Sequence, residues 1–335
     1  MSPEAKQIIV TGAAGFIGSH LVNRLYKLGL DFVGLDSFRP AQKLSLVEYR
    51  QDWIRKTTGI DIKRLNLCSS EDILKLEEIM SGKENTIFHL AAFPGVRESS
   101  IRSSEYFSNN IVGTSNLFRL STKFKNTKVF FASSSSVYGE MLQKTAMIES
   151  DAKIENLRSF YAQTKFQNEQ DAITLSSLGD TKFTAMRFFT AYGPYGRTDM
   201  AYWTFAERLL NGLPLSVYGN DGGSRSYTFI DDVIDILIGL YRIEQKSNFE
   251  IYNIGNPKSH SALKMIENLA STLGVKEYTV LHVDRPREDV TKTHCDSKKI
   301  FNTIGHKEFT DLSNGMGIFA DWFKKYYDEI QKSLR

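Results

Sequence analysis

The sequence Thr-Gly-Ala-Ala-Gly-Phe-Ile-Gly, residues 11–18, lies between a short apolar run at 7–10 and an amphipathic stretch at 16–28. The change from an apolar run to a period of 3.6 predicts a buried strand that turns directly into a helix. The same alternation continues through the first half of the chain. Further strands are predicted at 31–36, 60–67, 86–91, 128–133 and 183–189, and further helices at 70–80, 105–123 and 159–175. This order predicts an α/β fold with a doubly wound parallel sheet.

The three glycines of the opening stretch fall where the predicted strand becomes the helix. Gly12 can take backbone angles that other residues avoid, Gly15 allows close approach of a pyrophosphate, and Gly18 allows tight helix packing. Phe16 and Ile17 begin the helix, and free N–H groups at a helix start attract phosphate. The spacing is GxxGxxG, which also fits an ordinary tight turn. Its place after the first strand favours a Rossmann-type dinucleotide site.

Asp36 ends the second predicted strand, 18 residues after Gly18. A carboxylate at this position can accept hydrogen bonds from the adenosine ribose hydroxyls, which favours NAD over NADP. The alternative is that Asp36 is a turn residue at the end of a strand, and Arg39 nearby leaves room for a 2′-phosphate. We predict NAD as the cofactor.

The length of 335 residues predicts a large domain joined to a smaller one. After about residue 190 the strand-helix order becomes irregular, with Gly-Pro punctuation. We predict an NAD-binding Rossmann domain at 1–190 and a smaller C-terminal α/β substrate-binding domain at 191–335. The first domain is expected to be rejoined by about 227–256, because 227–241 and 251–254 can return to its sheet.

Composition excludes several classes of protein. Hydrophobic residues make up 41% and charged residues 24%, which argues against disorder. The net charge of +3 comes from 42 basic and 39 acidic residues without a run of like charge, so no nucleic-acid partner is expected. Cys68 and Cys295 form neither a disulfide framework nor a metal-ligand spacing, so no metal is expected. With no signal core and no membrane-length apolar segment, we expect a cytoplasmic protein and no membrane partner.

Tyr161 and Lys165 lie four residues apart on a predicted helix and therefore share a face. A phenol with its ordinary pKa of about 10 is a poor base at neutral pH. A neighbouring ammonium and a positive nicotinamide lower that pKa, so Tyr161 can remove a hydroxyl proton while hydride leaves the same carbon. A tyrosine and a lysine at this spacing also fit a solvated helix face. Their position behind a dinucleotide turn favours the catalytic interpretation.

A cluster of serines at 133–136 follows a predicted strand at its carboxyl end, where open α/β sheets bind ligands. We predict that the Ser134 hydroxyl shares the proton with Tyr161. A serine run alone also fits a loop.

These motifs make nearly the whole chain similar to the extended short-chain dehydrogenases/reductases of the nucleotide-sugar epimerase and dehydratase group. Five segments carry the resemblance: TGAAGFIG at 11–18, HLAA at 89–92, SSSVYG at 134–139, YAQTK at 161–165 and RSYTFIDD at 225–232. Within the group the chain most resembles UDP-glucuronate 4-epimerases, through FFTAYGPYGRTDMA at 188–201 and GVR at 95–97. Thr198 departs from their usual Arg-Pro-Asp-Met.

The resemblance implies additional NAD contacts from the ends of the third and fourth strands and from a following helix. These residues are Asn66, Leu67, Leu90, Ala91, Ala92 and Asn110. Asn66 stands where the family usually has an aspartate that faces adenine, and an amide can do the same job.

The resemblance also implies the reaction. Tyr161 takes the proton of the C4 hydroxyl, NAD takes the C4 hydride, the 4-keto sugar swings about its diphosphate, and hydride returns to the other face. Family dehydratases carry an Asp-Glu pair where this chain has Ser135 and Ser136, and UDP-glucuronate decarboxylases usually have a glutamate at the position of Ser136. We therefore predict 4-epimerisation of UDP-glucuronate to UDP-galacturonate.

A 4-keto glucuronate is a β-keto acid and loses carbon dioxide when its carboxylate aligns with the carbonyl. An arginine can fix a carboxylate through two parallel hydrogen bonds. By resemblance, Arg197 has this role, assisted by Thr190. The alternative is a surface loop arginine.

The remaining substrate contacts are assigned by the same resemblance. Arg225 is expected to pair with the diphosphate beside Arg285 or Arg287, Tyr218 either stacks on uracil or packs in a strand, and Arg97 faces either the diphosphate or Glu98. Ser135 and Ser136 are expected near the sugar, whereas His89 and Phe93 are predicted as core residues.

Other functions stay open at this point. A UDP-glucose or UDP-N-acetylhexosamine 4-epimerase uses the same chemistry, and decarboxylation is a further alternative. A catalytically silent NAD-binding scaffold is a third, because a Rossmann fold alone does not specify activity. The helices at 105–123 and 159–175 resemble those that pair in family dimers, so a homodimer is expected, with a role in capsule or other cell-surface polysaccharide synthesis.

Overall fold

The computed structural model describes residues 5–39, 46–141, 145–220, 222–286 and 288–333. Its strands, in chain order, are β1 Ala5–Thr11, β2 Phe32–Asp36, β3 Lys63–Arg64, β4 Lys83–His89, β5 Lys128–Ser134, β6 Lys182–Phe188, β7 Thr190–Tyr192, β8 Leu215–Tyr218, β9 Ser224–Arg225, β10 Tyr227–Phe229, β11 Phe249–Ile254, β12 His260–Ser261, β13 Val280–Val283 and β14 Lys292–Thr293.

The α-helices alternate with the strands of the first half and dominate the end of the chain. They are α1 Phe16–Lys27, α2 Val47–Thr58, α3 Ser70–Met80, α4 Val96–Ile101, α5 Ser103–Tyr106, α6 Gly113–Ser121, α7 Phe160–Leu178, α8 Ala201–Leu210, α9 Ile230–Arg242, α10 Ala262–Leu273, α11 Lys298–Ile304 and α12 Leu312–Ser333. A π-helical segment, Phe107–Val112, joins α5 to α6, and short 3-10 turns occupy Ser135–Tyr138, Glu149–Asp151 and Ile154–Asn156.

Seven strands form one sheet in the order β11-β6-β5-β4-β1-β2-β3. Every pair in this sheet is parallel. Successive residues of β1 point to opposite faces, as strand geometry requires. Ile8 and Val10 pack with α1 and α9, whereas Ile9 packs with Leu76 of α3 and Leu117 of α6. Both faces of the sheet are therefore covered by helices, and the predicted doubly wound fold is confirmed.

Two predicted segments differ from the structure. Only Lys63 and Arg64 of the expected strand 60–67 pair with β2, and they form the edge of the sheet. An edge strand has hydrogen-bonding neighbours on one side only, so the apolar residues around it are not drawn into the ladder. The segment 227–241 packs on the main sheet through helix α9 and contributes no strand to it. Its first three residues pair with β7 in a separate ladder, and the rest is helix α9.

The return of the chain to the first sheet is carried by β11, which pairs with β6 from Phe249 to Ile254. The segments around it form small ladders outside the main sheet, β8 with β13 and β9 with β12 and β14. Helices α8, α10 and α12 pack against one another beside these ladders and share one apolar core with α9. The predicted domain boundaries stay an expectation.

Within the part of the chain that the structure describes, no helix is long and apolar enough to cross a membrane. Across the same residues, no group of three or more His, Cys, Asp or Glu side chains is arranged to hold a metal ion. Cys68 and Cys295 are both free thiols.

His89 lies at the end of β4 and is 3% exposed, as expected of a core residue. Its Nδ1 is 2.7 Å from the Thr11 hydroxyl and its Nε2 is 2.9 Å from the Thr114 hydroxyl. Burial lowers the pKa of His89 to about 3. Burial likewise lowers the pKa of His20, whose Nε2 is 3.0 Å from the Pro194 carbonyl oxygen, to about 4. Both imidazoles are therefore neutral in the folded protein above these values.

Acid is expected to destabilise the fold through these histidines. In the unfolded chain they take up protons near pH 6.5, whereas the folded chain resists protonation down to about 3 and 4. The contribution of each histidine to the free energy of unfolding is therefore full above the pKa of the unfolded chain. It is lost as the pH falls below that pKa, by about 1–2 kcal/mol per histidine between pH 7 and 5. Urea unfolding at the two pH values measures this loss. His89→Gln keeps a donor and an acceptor but does not titrate, so its loss should be smaller; an equal loss in both proteins would contradict the assignment.

Candidate active site

A cleft of about 760 Å³ lies at the carboxyl ends of the parallel strands. Its walls come from the first half of the chain on one side and from the segments between residues 188 and 293 on the other. In open α/β sheets this edge is where ligands bind, because the strand ends and the loops that follow them meet there.

The glycine turn after β1 forms one end of the cleft. Gly12 has φ +71°, and a Cβ there would lie 2.6 Å from the Ala91 backbone nitrogen. A Cβ on Gly18 would lie only 2.0 Å from the Gly12 carbonyl oxygen. Helix α1 begins after Gly15 without a side-chain cap, and Gly15, Phe16 and Gly18 line the cleft. The turn thus presents an uncapped helix start to the cleft at a place where only glycine fits.

Asp36 ends β2 beside this turn and also lines the cleft. Its Oδ2 accepts a hydrogen bond from the Ala14 N–H at 3.0 Å, and its Oδ1 accepts one from the Phe38 N–H at 2.8 Å. Burial raises the pKa of Asp36, although both backbone hydrogen bonds oppose that shift. The carboxylate is therefore held in a fixed orientation next to the glycine turn. Arg39 lies 3.8 Å from Glu105 in an exposed ion pair.

Most of the other predicted cofactor contacts lie in the same cleft. Its lining includes Ile17, Asn66, Leu67, Leu90, Ala91 and Ala92. Asn110 is placed differently. It is fully buried, its Oδ1 accepts from the Phe93 N–H at 2.7 Å, and its Nδ2 donates to the Phe93 carbonyl at 3.0 Å and to Thr164 at 3.2 Å. Asn110 braces the cleft wall from behind, and its neighbour Asn109 lines the cleft.

Tyr161, Lys165 and Ser134 meet in the middle of the cleft. Helix α7 carries the first two, and it starts at Ser159, whose hydroxyl accepts a hydrogen bond from the Ala162 N–H. Lys165 Nζ lies 5.8 Å from the centroid of the Tyr161 ring and donates to the Ala132 carbonyl oxygen at 2.9 Å. The Ser134 hydroxyl makes a hydrogen bond with Tyr161. The local helical spacing thus places the phenol and the ammonium on one face, as predicted.

The charges around the phenol differ from the simple picture of one lysine beside one tyrosine. Burial raises the pKa of Tyr161, and it outweighs the positive charge of Arg197 and the Ser134 hydrogen bond, which both lower it. Burial also lowers the pKa of Lys165 to about 7, against the opposing charge of Glu169. Lys165 is therefore only partly charged at neutral pH. Arg197 supplies the permanent positive charge beside Tyr161, because a guanidinium does not lose its proton.

A buried ion pair lies beside Lys165. Arg187 and Glu169 are 2.7 Å apart with side chains 3% and 1% exposed. Ser133 donates to the same carboxylate at 2.5 Å, and Arg187 also donates to the Tyr138 hydroxyl at 3.0 Å. Removing one partner of such a pair leaves a buried charge uncompensated, so this network fixes the β5 end and α7 relative to each other.

Arg197 lies in the cleft close to Tyr161, together with Thr190 of β7. Its Nε donates to Asp199 Oδ1 at 3.0 Å and its Nη2 donates to Asp199 Oδ2 at 2.6 Å. The Arg197 backbone N–H donates to the Tyr202 hydroxyl at 3.1 Å. The predicted carboxylate-binding arginine is thus inside the site and already holds a carboxylate of its own chain.

A second group of cations surrounds Asp289 at the far end of the cleft. Arg225 donates to Asp289 Oδ1 at 2.9 Å, while Arg285 and Arg97 lie 3.7 and 3.9 Å from Oδ2. Three positive charges face one negative charge, which leaves an excess suited to an anionic group. Arg97 also lies 4.9 Å above the Tyr218 ring.

The structure places every predicted member of this group except Arg287. Arg97, Tyr218 and Arg225 line the cleft with Ser135 and Ser136. Arg285 donates to the Tyr218 carbonyl at 3.0 Å and to the Val290 carbonyl at 3.2 Å, so it holds the cleft wall together. Arg287 lies outside the described residues.

Comparisons with known proteins show the family to which the chain belongs. A family model described as NAD dependent epimerase/dehydratase family matches residues 8–255. The chain belongs to the NAD-dependent epimerase/dehydratase family. It is 33% identical to UDP-glucuronate 4-epimerase 1 of Arabidopsis thaliana, covering 96% of this chain and 77% of that protein.

Two solved structures are similar over almost the full length. UDP-glucuronic acid 4-epimerase from Bacillus cereus, in complex with UDP-glucuronic acid and NAD, superposes with a TM-score of 0.87 at 29% identity, covering 96% of this chain and 100% of that one. MoeE5, in complex with UDP-glucuronic acid and NAD, superposes with a TM-score of 0.82 at 30% identity, covering 96% and 99%. The prediction of an NAD-dependent enzyme of the epimerase/dehydratase family is confirmed.

The family's cofactor fits the residues present. The glycine turn leaves a space that any Cβ would fill, and the uncapped start of α1 suits the diphosphate of NAD. Asp36 would accept hydrogen bonds from the adenosine ribose hydroxyls, and the same cleft includes Tyr161.

Arg50 is a residue of this cleft that sequence reasoning missed. It is 6% exposed, lines the cleft, and donates from Nε and Nη2 to the Tyr195 and Gly196 carbonyls, each at 2.7 Å. Trp53 stacks on Tyr195 at 4.0 Å. Helix α2 therefore anchors the turn that leads into Arg197. The only signal in the sequence was that Arg50 shares a helix face with the buried Ile54, four residues on.

Two carboxylates were also missed, Asp199 and Asp289. Their sequence context marks them only as polar loop residues, and it does not show which arginines they meet.

Proposed function

We propose that the protein is a UDP-hexuronate 4-epimerase that interconverts UDP-glucuronate and UDP-galacturonate through a 4-keto sugar. The observation that carries the proposal is the position of Arg197, a permanent cation in the cleft whose charge acts on the Tyr161 phenol. A carboxylate on the carbon next to the reacting one would come within reach of this guanidinium.

The glycine turn and Asp36 would hold NAD, which would supply a reversible hydride acceptor for C4. Tyr161 takes the C4 hydroxyl proton as the hydride leaves and gives it back on reduction. Ser134 shares that proton through its hydrogen bond with the phenol. Arg197, with Thr190 beside it, fixes the plane of the substrate carboxylate and so keeps the β-keto acid from losing carbon dioxide.

The other end of the cleft suits the nucleotide. We expect Arg97 and Arg225, which line the cleft, to meet the diphosphate, and Tyr218, whose ring has the Arg97 guanidinium 4.9 Å from its centroid, to contact uracil. Ser135 and Ser136 provide hydroxyls where an acid and base pair would be needed for elimination, and the Ser136 hydroxyl donates to Ser134 at 2.9 Å. This chemistry supports hydride transfer without dehydration or decarboxylation.

One observation favours a second candidate, a 4-epimerase of a neutral UDP-hexose. The guanidinium of Arg197 is neutralised by Asp199, so a sugar without a carboxylate can enter without leaving a cation unpaired. The neighbour MoeE5 is also described in complex with UDP-glucose and NAD. UDP-N-acetylhexosamines belong to this candidate too.

Product analysis separates the candidates. Purified protein with NAD is incubated with UDP-glucuronate, UDP-glucose or UDP-N-acetylglucosamine, and the products are identified by proton NMR. We expect UDP-galacturonate from UDP-glucuronate and little conversion of the neutral sugars. A UDP-pentose would show decarboxylation instead, and conversion of a neutral sugar alone would keep the mechanism and overturn the substrate.

The proposal extends to a cytoplasmic homodimer that serves the synthesis of cell-surface polysaccharides. Phe107 and Ile173 support the dimer, because they are 51% and 41% exposed on the π-helical segment and on α7. Exposed apolar side chains on two neighbouring helices are typical of an interface. Sedimentation at several protein concentrations measures the oligomeric state, and a monomer at all of them would contradict this part of the proposal.

A further inference from the structure

The pairing of Arg197 with Asp199 occupies one complete edge of the guanidinium. Nε meets Oδ1 at 3.0 Å and Nη2 meets Oδ2 at 2.6 Å, and the two side chains are 25% and 29% exposed. Both residues line the cleft. Gly95 lies beneath the pair, because a Cβ there would be 3.5 Å from both Arg197 Nη2 and Asp199 Oδ2. The pair therefore has a defined place in the site and is not a flexible surface contact.

This geometry is the same one that a bound uronate would use. Two parallel N–H···O bonds between a guanidinium edge and a carboxylate are the strongest form of this interaction. A substrate carboxylate that approaches Arg197 meets Asp199 at that edge, and two carboxylates at one site repel each other. It must therefore displace Asp199 or use the remaining edge at a cost in affinity, whereas a neutral hexose leaves the pair intact.

We propose that Asp199 is a specificity-determining residue that occupies Arg197 in place of a substrate carboxylate. This inference rests on the proposed function, in which Arg197 binds the uronate. Asp199 lowers the preference of the site for charged sugars and keeps Arg197 in position when the site is empty or holds a neutral sugar.

The same pair lies within electrostatic reach of the reacting phenol. The groups around Tyr161 are Arg197 and Asp199 from the loop before α8, Lys165 from its own helix, Tyr106 from α5 and Ser134 from the end of β5. Glu169, also on α7, acts on Lys165. Of these, Asp199 opposes the formation of the phenolate and Arg197 favours it. Displacement of Asp199 by a substrate carboxylate exchanges one negative charge for another. We therefore expect little change in the pKa of the Tyr161 phenol.

The test is Asp199→Asn in the NAD-loaded protein, with dissociation constants for UDP-glucuronate, UDP-glucose and UDP measured by calorimetry. Asparagine keeps the shape but removes the competing charge. We expect the ratio of the UDP-glucuronate constant to the UDP-glucose constant to fall about tenfold, while UDP binding changes little. The acid limb of the pH profile of kcat/KM should also move to lower pH, because a negative charge beside Tyr161 is gone.

Three further variants make the result specific. Asp199→Glu restores the carboxylate and should restore the ratio, and Asp199→Ser tests the same point if the asparagine variant folds poorly. Asp52→Asn removes an equal charge at a site that is 61% exposed and should leave the ratio unchanged. An unchanged or increased ratio in Asp199→Asn would overturn the proposal.

Binding also separates this inference from the proposed function. If the wild-type protein converts only UDP-glucose, the proposed substrate is wrong, but the two binding constants still report whether Asp199 competes with a sugar carboxylate.

Discussion

Tyr161→Phe is expected to lower kcat by about 10²- to 10⁴-fold while NAD stays bound, which is the range for loss of a general acid–base group. The variant removes only the phenolic oxygen, which Ser134 meets by a hydrogen bond. Burial, the charge of Arg197 and this hydrogen bond together set the pKa of the phenol. The aromatic ring that packs against Tyr106, with centroids 6.3 Å apart, is kept. Turnover of UDP-glucuronate and the absorbance of retained NAD are the two measurements.

Tyr192→Phe is the matched control for this prediction. Tyr192 is fully buried, and its hydroxyl has no hydrogen-bond partner among the described residues. It does not line the cleft. Removing that oxygen should leave kcat unchanged and leave the melting temperature equal or higher, since an unsatisfied buried hydroxyl is costly. If Tyr161→Phe kept full turnover, the proton would have to pass through another group, and the role of Tyr161 would be wrong.

Arg197→Gln is expected to raise KM for UDP-glucuronate by about 10- to 100-fold, which corresponds to the loss of charge-assisted hydrogen bonds to a carboxylate. The KM for UDP-glucose should change much less, because a neutral sugar offers no carboxylate to Arg197. A second consequence is chemical. Without the guanidinium the 4-keto uronate is free to align its carboxylate with the ketone, so a UDP-pentose should increase among the products. Proton NMR measures both effects in one experiment.

Arg55→Gln provides the control for the loss of an arginine. Arg55 is 54% exposed and pairs with Asp52 on α2 and with Asp61 in the loop after α2. Exposed ion pairs contribute little to stability, so its kinetics and products should match the wild type. Equal changes of KM for the charged and the neutral sugar in Arg197→Gln would show that Arg197 shapes the cleft without binding the carboxylate.

The fold could be predicted from the sequence wherever local pattern and burial agree. Helix α3 begins and ends at the predicted residues. Its start is fixed by Ser69, whose hydroxyl accepts a hydrogen bond from the Asp72 N–H. The seven-stranded sheet followed from apolar runs that are buried on both faces, as parallel strands are. The pattern was misleading at β3, where the edge position limits pairing, and at 227–241, where an apolar helix was taken for returning sheet.

The sequence alone was enough to predict the glycine turn, the position of Asp36 and the pairing of Tyr161 with Lys165 on one face of α7. These features depend on spacings within one strand, turn or helix, and local geometry fixes them. It also predicted that Arg97, Arg197 and Arg225 belong to one site, though only through resemblance to a family.

The partners of these cations became clear from the folded chain. Arg197 holds Asp199, Arg97 and Arg225 from distant segments join the nearby Arg285 around Asp289, and Asn110 turns away from the cleft to brace Phe93. The contacts of Arg97 and Arg225 with Asp289 form between segments that the fold brings together, and a sequence pattern carries no distance across them. The Arg197–Asp199 pair is local, but it depends on side-chain orientations that the sequence does not show. The charge at the phenol was likewise decided by packing, since burial lowers the pKa of Lys165 and leaves Arg197 as the permanent cation beside Tyr161.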